Sequence, residues 1–130
     1  RTTMAKYHRI AGTHTNVGTS EETTLQFPAQ GGGFSSEIWL LVAFHYVRSG
    51  GSASTYQPGV GQASGFTVGD INDRLAYSST AVGTAVNDVY SSPILCLTDS
   101  NGRLYFKPGF NSGTDNDGDY EFWFRQAGKL

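Results

Sequence analysis

Apolar and polar residues alternate along much of this chain with a period of two, the signature of strands rather than helices. The most hydrophobic stretch is residues 36–47. There Ile38, Leu40, Val42, Phe44 and Tyr46 share one face, and Trp39, Leu41, Ala43, His45 and Val47 share the other. Both faces are mostly apolar, which predicts a central strand covered on both sides. A second sheet is one cover, and a neighbouring subunit is a candidate for the other. A helix competes for an apolar run of this length, but β-branched and aromatic enrichment between glycine-rich flanks favours a strand.

The last third carries three further β-rich runs. They are Pro93-Ile-Leu-Cys-Leu-Thr98, Arg103-Leu-Tyr-Phe-Lys107 and Tyr120-Glu-Phe-Trp-Phe-Arg125. The turn residues Asp99-Ser100-Asn101-Gly102, then a Gly/Asn/Asp-rich connection, separate them, which predicts two successive hairpins. Leu104 with Phe106, and Tyr120 with Phe122 and Phe124, form inner faces expected to pack on the 38–46 strand.

Elsewhere the pattern is weaker. Residues 23–27 read as a strand ended by Pro28. Residues 48–65 read as a long Gly/Ser-rich loop with Tyr56 and Pro58 as its bulky members, 66–68 as a short strand and 85–90 as an edge strand. Residues 69–77 are the one helix candidate, with Asp70 as its cap and Ile71 and Leu75 on one face. Residues 1–22 are polar, with a short strand near 7–10 followed by a loop. They read as an N-terminal arm or edge segment, either frayed or reaching a neighbouring subunit, ahead of a single domain spanning 23–130. The whole predicts an all-β antiparallel sandwich, jelly-roll-like, of about eight strands with at most one short helix.

Composition narrows the class. A chain of 130 residues fits one domain, and 13% aromatic residues with 17 glycines suit strands joined by turns. A formal net charge of −2 argues against a strongly basic nucleic-acid binder and against a polybasic membrane-surface protein. The longest apolar run, 38–44, is far short of the roughly 20 residues of a membrane helix. The N-terminus does not read as a signal peptide. Met4-Ala5-Lys6 reads as a translation start that would leave Arg1–Thr3 as a vector remnant, and proteolytic processing before Arg1 reads equally well. The lone Cys96 sits in an apolar run and reads as a small buried hydrophobe.

Candidate chemistry is sparse. Asp115, Asp117 and Asp119 alternate around Gly118, as carboxylates do in a calcium loop. Placing Gly118 at the glycine of an EF-hand puts Gly113 at the first ligand and Phe124 at the bidentate glutamate, which excludes that motif. A looser calcium site stays open beside the plainer reading, a connection whose Asn, Asp and Gly supply turn geometry. His8, His14 and His45 lack metal-ligand spacing, so no metal role is assigned. Gly59-Val-Gly61 lacks the strand-to-helix context of a phosphate cradle. The acidic residues crowd one loop instead of flanking a sugar cleft, and no nucleophile elbow occurs. The reading is a non-enzyme without catalytic residues. Binding and assembly remain, with Tyr56, Tyr105 and Trp123 as exposed aromatics suited to stacking on sugar rings or to a protein interface.

The stretch Leu97-Thr-Asp-Ser-Asn-Gly-Arg-Leu-Tyr-Phe-Lys-Pro108, with Gly113-Thr-Asp-Asn-Asp-Gly-Asp-Tyr-Glu-Phe-Trp-Phe-Arg125, resembles small jelly-roll proteins of tailed-bacteriophage virions. These are capsid decoration (cement) proteins and the head domains of fibres and tail adhesins. The resemblance implies a homo-oligomer, often a trimer, made in the bacterial cytoplasm and added to a virion surface. Its partners would be its own copies and the major capsid protein or another virion protein. The alternative is a receptor-binding tip or lectin-like module that takes a host surface glycan. No functional residue is carried over from the resemblance.

Overall fold

The computed structural model of the chain describes residues 6–66, 74–77, 88–91 and 93–129, with backbone only for 74–77, 88–91 and 129. Its strands are β1 (Tyr7–Val17), β2 (Thr23–Gln26), β3 (Glu37–Gly50), β4 (Gly59–Gly61), β5 (Arg74–Tyr77), β6 (Asp88–Ser91), β7 (Ile94–Leu97), β8 (Arg103–Lys107) and β9 (Asn116–Lys129). The larger sheet runs β1-β9-β3-β6, with β7 also on β3, and the smaller runs β2-β8-β4-β5. Every pairing is antiparallel.

β6 and β7 keep one register along the same edge of β3, with Ser91 opposite Phe44 and Ile94 opposite Leu41. The interruption falls at Pro93, which has no N–H to give to the ladder. Treated as one broken strand, they leave a sandwich of eight strands among the described residues. Its first strand lies beside its last, and its second beside its next-to-last, the winding of a jelly roll. The fold class read from the sequence holds.

Several local expectations do not. Arg74–Tyr77, placed in a helix by the sequence pattern, is strand β5 on β4, and the described residues contain no helix. Asp70 and Ile71 lie outside the described residues. Gly59–Gly61, expected in a loop, is the fully buried strand β4. Phe66 is a core residue outside any strand, and 67–68 lie outside the described residues. Of 85–90, residues 88–90 belong to β6 and 85–87 lie outside the described residues.

The closing runs are strands but not hairpins. β7 pairs with β3, β8 sits between β2 and β4 in the other sheet, and β9 sits between β1 and β3. The Asp99 turn is tight, with Gly102 N–H donating to Asp99 C=O at 3.0 Å and the Asp99 carboxylate accepting from Asn101 N–H at 2.8 Å. It carries the chain from one sheet to the other. Local turn chemistry marks where a strand stops, not which sheet the next one joins. Of the N-terminal segment, residues 1–5 lie outside the described residues, and from Tyr7 on it is an edge strand and not a frayed arm. Residues 7–17 are a strand paired with β9, so the sandwich begins well before residue 23.

The core explains the register. In β3, Trp39 and Leu41 point inward, and then Phe44 and Tyr46 do. A bulge at Val42, between the pairs Leu41–Phe124 and Ala43–Trp123, moves the inward set from odd to even positions. The unbroken alternation read from the sequence therefore fails halfway along. From the smaller sheet Phe106 reaches into this layer, 5.0 Å from Phe122, 5.5 Å from Tyr46 and 5.8 Å from Phe44 between ring centroids. Leu25, Phe27, Leu104 and Phe124 complete the contact between sheets. Burying each such side chain contributes about 1.5–3 kcal/mol.

Candidate functional site

The outward side of the larger sheet is built from the residues that alternate with this core. The register sets them in rows: Thr13, Asp119 and Val47; Ala11, Glu121 and His45; Arg9, Trp123 and Ala43; then Tyr7, Arg125, Leu40 and Leu95. The first two rows are mostly polar and the last two mostly apolar. Among the described residues the large apolar side chains left exposed are Tyr7 at 62%, Leu95 at 60%, Phe34 at 53% and Trp123 at 39%. Three of these four stand in the last two rows.

The polar end forms a shallow open groove of about 540 Å³ lined by Arg9, Thr13, His45, Asp119, Tyr120 and Glu121, with Ala11, Gly12 and Val47 between them. Arg9 Nε and Nη2 donate to Glu121 Oε2 at 3.0 and 2.5 Å. The same guanidinium lies 5.4 Å from the centre of the Trp123 ring, so it covers part of the indole. Hydrogen bonds from Arg9 and then from Trp123 hold the Glu121 carboxyl below its ordinary range. Thr13 Oγ1 donates to Asp119 Oδ1 at 2.8 Å. Gly12 fits its place because a Cβ there would meet the Tyr120 hydroxyl at 2.3 Å. The groove thus offers fixed donors and acceptors beside an aromatic edge, an arrangement for holding a polar ligand.

The acidic segment has a different task. Asp119 and Asp117 lie on β9, and only Asp115 is in the connection before it. The Asp115 carboxylate accepts from Ser52 N–H at 3.0 Å and from Ser52 Oγ at 2.6 Å, and these bonds lower its pKa. Asp117 accepts from Asn16 N–H at 2.9 Å. Each carboxylate turns to its own neighbour, and among the described residues no three His, Cys, Asp or Glu side chains converge as metal ligands. Asn116 between them is fully buried. Its amide donates to Val17 and Ser112 carbonyls at 3.1 and 2.9 Å, and its carbonyl accepts from Ala53 N–H at 3.0 Å. Asn111 accepts from Ser54 and Thr55 N–H, both at 3.0 Å. This segment laces down the loop after β3. Gly118 belongs to the same fit, because a Cβ there would meet the Tyr46 hydroxyl at 2.2 Å.

Of the three aromatics proposed as contacts, the structure keeps one squarely on the surface. Trp123 borders the groove. Tyr56 is fully buried, packed 5.5 Å from Tyr46 and 5.7 Å from Phe110, so it is a core residue and not a contact residue. Its glycine- and serine-rich neighbours hid that in the sequence. Tyr105 is half-buried on the smaller sheet, and its hydroxyl donates to Asp99 Oδ2 at 3.2 Å. Burial and then the Asp99 charge raise its pKa. Trp123 and Tyr105 therefore do not share a site.

The histidines separate too. His14 is buried, bonded to Thr23 Oγ1 at 2.7 Å and stacked on Phe106, and burial lowers its pKa. His8 bonds the Gln26 carbonyl at 2.9 Å, and His45 lines the groove. Cys96 is buried as expected, and burial pushes its thiol up to about 12. Sequence reasoning missed Arg9 and Thr13. The signal was present, since Tyr7, Arg9, Ala11 and Thr13 alternate with His8, Ile10, Gly12 and His14.

Comparison with protein-family models, with curated proteins and with solved structures gives no match for this chain.

Proposed function

We propose that this chain is a non-enzymatic structural protein of a virion surface, a capsid decoration protein ahead of a tail or fibre component. It associates with its own copies, and it meets the major capsid protein through the outward side of the larger sheet. The observation that carries this reading is the apolar end of that side, where Tyr7, Leu95 and Trp123 stand exposed in adjacent rows. An antiparallel sheet that faces only water ordinarily presents polar residues there. Grouped exposed apolar side chains rimmed by polar ones mark interaction surfaces. By analogy alone, jelly rolls recur among viral capsid and lectin domains. The protein would be made in the bacterial cytoplasm, carry no cofactor and act from the virion. The trimer remains what the resemblance implies.

The test is co-sedimentation with purified particles stripped of the protein. A Leu95→Ser/Trp123→Ser double variant should lose attachment while its circular dichroism and melting stay close to wild type. Full attachment by a folded double variant would refute this reading.

A second reading, a receptor-binding module for a host glycan, is favoured by the groove. Its fixed polar groups Thr13, Asp119 and Glu121 beside Trp123 suit sugar hydroxyls and a ring face. In that case Asp119→Asn should abolish glycan retention on an array, and Leu95→Ser should leave it unchanged.

A further inference from the structure

We infer that the free edge of β1 is a seam that joins two copies of this chain, strand to antiparallel strand, into one continuous sheet. Among the described residues the two sheets present four edges, and two of them carry features that block further pairing. β2 is four residues long, and the β6/β7 edge is broken at Pro93. β1 runs for eleven residues with no proline and no lysine. Among the described residues no strand pairs with its outer side.

The backbone direction along that edge follows from one bond. Lys6 C=O accepts from Gln126 N–H at 2.8 Å, and Lys6 stands in register with Gln126. The even-numbered residues up to His14 therefore turn their N–H and C=O groups toward β9. The odd ones, Tyr7, Arg9, Ala11 and Thr13, turn theirs to the open edge. A twofold axis beside Ile10 sets Tyr7 opposite Thr13 of the second copy, and Arg9 opposite Ala11 of the second copy. Each directly opposed pair exchanges two hydrogen bonds, which satisfies every open group from Tyr7 to Thr13.

The side chains are self-complementary in this register. On the outward side each large residue meets a smaller one, and the only charge, Arg9, is already tied to Glu121. On the inward side Ile10 meets its own copy and His8 meets Gly12. A closed ring of three would require β1 to meet a different edge of its neighbour, and of those edges β2 is short and β6/β7 is broken. The occupant is thus a second copy in twofold symmetry, whether or not the chain serves on a virion.

Light scattering on the isolated full chain at micromolar concentration tests this. The expected mass is twice 14.0 kDa. Ala11→Arg, which opposes Arg9 of the second copy on an exposed face, should halve it without changing the circular dichroism. Ala11→Pro, which removes an edge-facing N–H, should do the same. Amide exchange followed by NMR gives a second readout. Residues 7, 9, 11 and 13 should be protected in the wild type and lose that protection in Ala11→Arg, while 8, 10 and 12 keep theirs. A wild-type mass of one or three copies overturns the seam. So does a two-copy mass that survives Ala11→Arg.

Discussion

The two sides of the larger sheet come from the same strands and from alternate residues of one stretch of chain, yet they are built to opposite specifications. Inward, Phe44, Tyr46 and Phe122 lock against Phe106 at ring spacings of 5.0–5.8 Å, and Phe124 stacks on Phe122 at 5.9 Å. Outward, Glu121, Trp123 and Arg125 alternate with those same phenylalanines. Glu121 pairs with Arg9 of the solvent-facing β1, and the same guanidinium lies over the Trp123 ring. The inward side holds the fold together, and the outward side is free to meet something else. A substitution one position along β9 therefore changes the kind of consequence, not just its size.

The comparison is broken most forcefully at adjacent residues. Phe122→Ala should cost about 3–5 kcal/mol in urea unfolding, because it opens a cavity where Phe44, Phe106 and Phe124 converge. Trp123→Ala should change the same measurement by less than about 1 kcal/mol. Equal losses at the two positions would refute the division.

Next in size is Asn116→Ala, which strands the Val17 and Ser112 carbonyls and the Ala53 N–H together. A loss of about 2–3 kcal/mol is expected. Proteolysis should then begin in the loop after β3, which that side chain fastens.

A smaller effect comes through His14. Burial holds its pKa below the ordinary 6.5, so the folded state keeps the ring neutral while the unfolded chain takes up a proton first. Stability should be level above about pH 7, fall as pH drops through 6.5, and level again below the folded value. His14→Gln should remove that slope, to be read as melting temperature against pH relative to wild type.

Smallest of all is Arg9→Ala on the outward side. It should leave the melting temperature unchanged and let the Glu121 carboxyl rise toward its ordinary range, measured by NMR titration.

What could be read in advance follows the same division. Strands announce themselves through alternation, so β2, β3, β7, β8 and the middle of β9 were legible, as was the sandwich. Pairing was not, because the Asp99 turn has hairpin chemistry while β7 and β8 belong to different sheets. The bulge at Val42 left no mark in composition and reversed the faces of half of β3. Asn116 looked like one more turn residue, and only its buried partners make it a structural anchor. Tyr56 looked exposed because burial in a loop depends on distant residues, here Tyr46 and Phe110. Of the candidate contacts only Trp123 had its surroundings right, since its exposure follows from strict alternation with Phe122 and Phe124.

We propose that the outward side of the larger sheet, not the smaller sheet, is the working surface. Hydroxyl-radical footprinting of side chains, with the chain free and then attached to particles, tests it directly. The account predicts that Tyr7, Leu95 and Trp123 lose reactivity on attachment while Tyr105, on the smaller sheet, keeps its own. Protection of Tyr105 with Tyr7, Leu95 and Trp123 unchanged would contradict it.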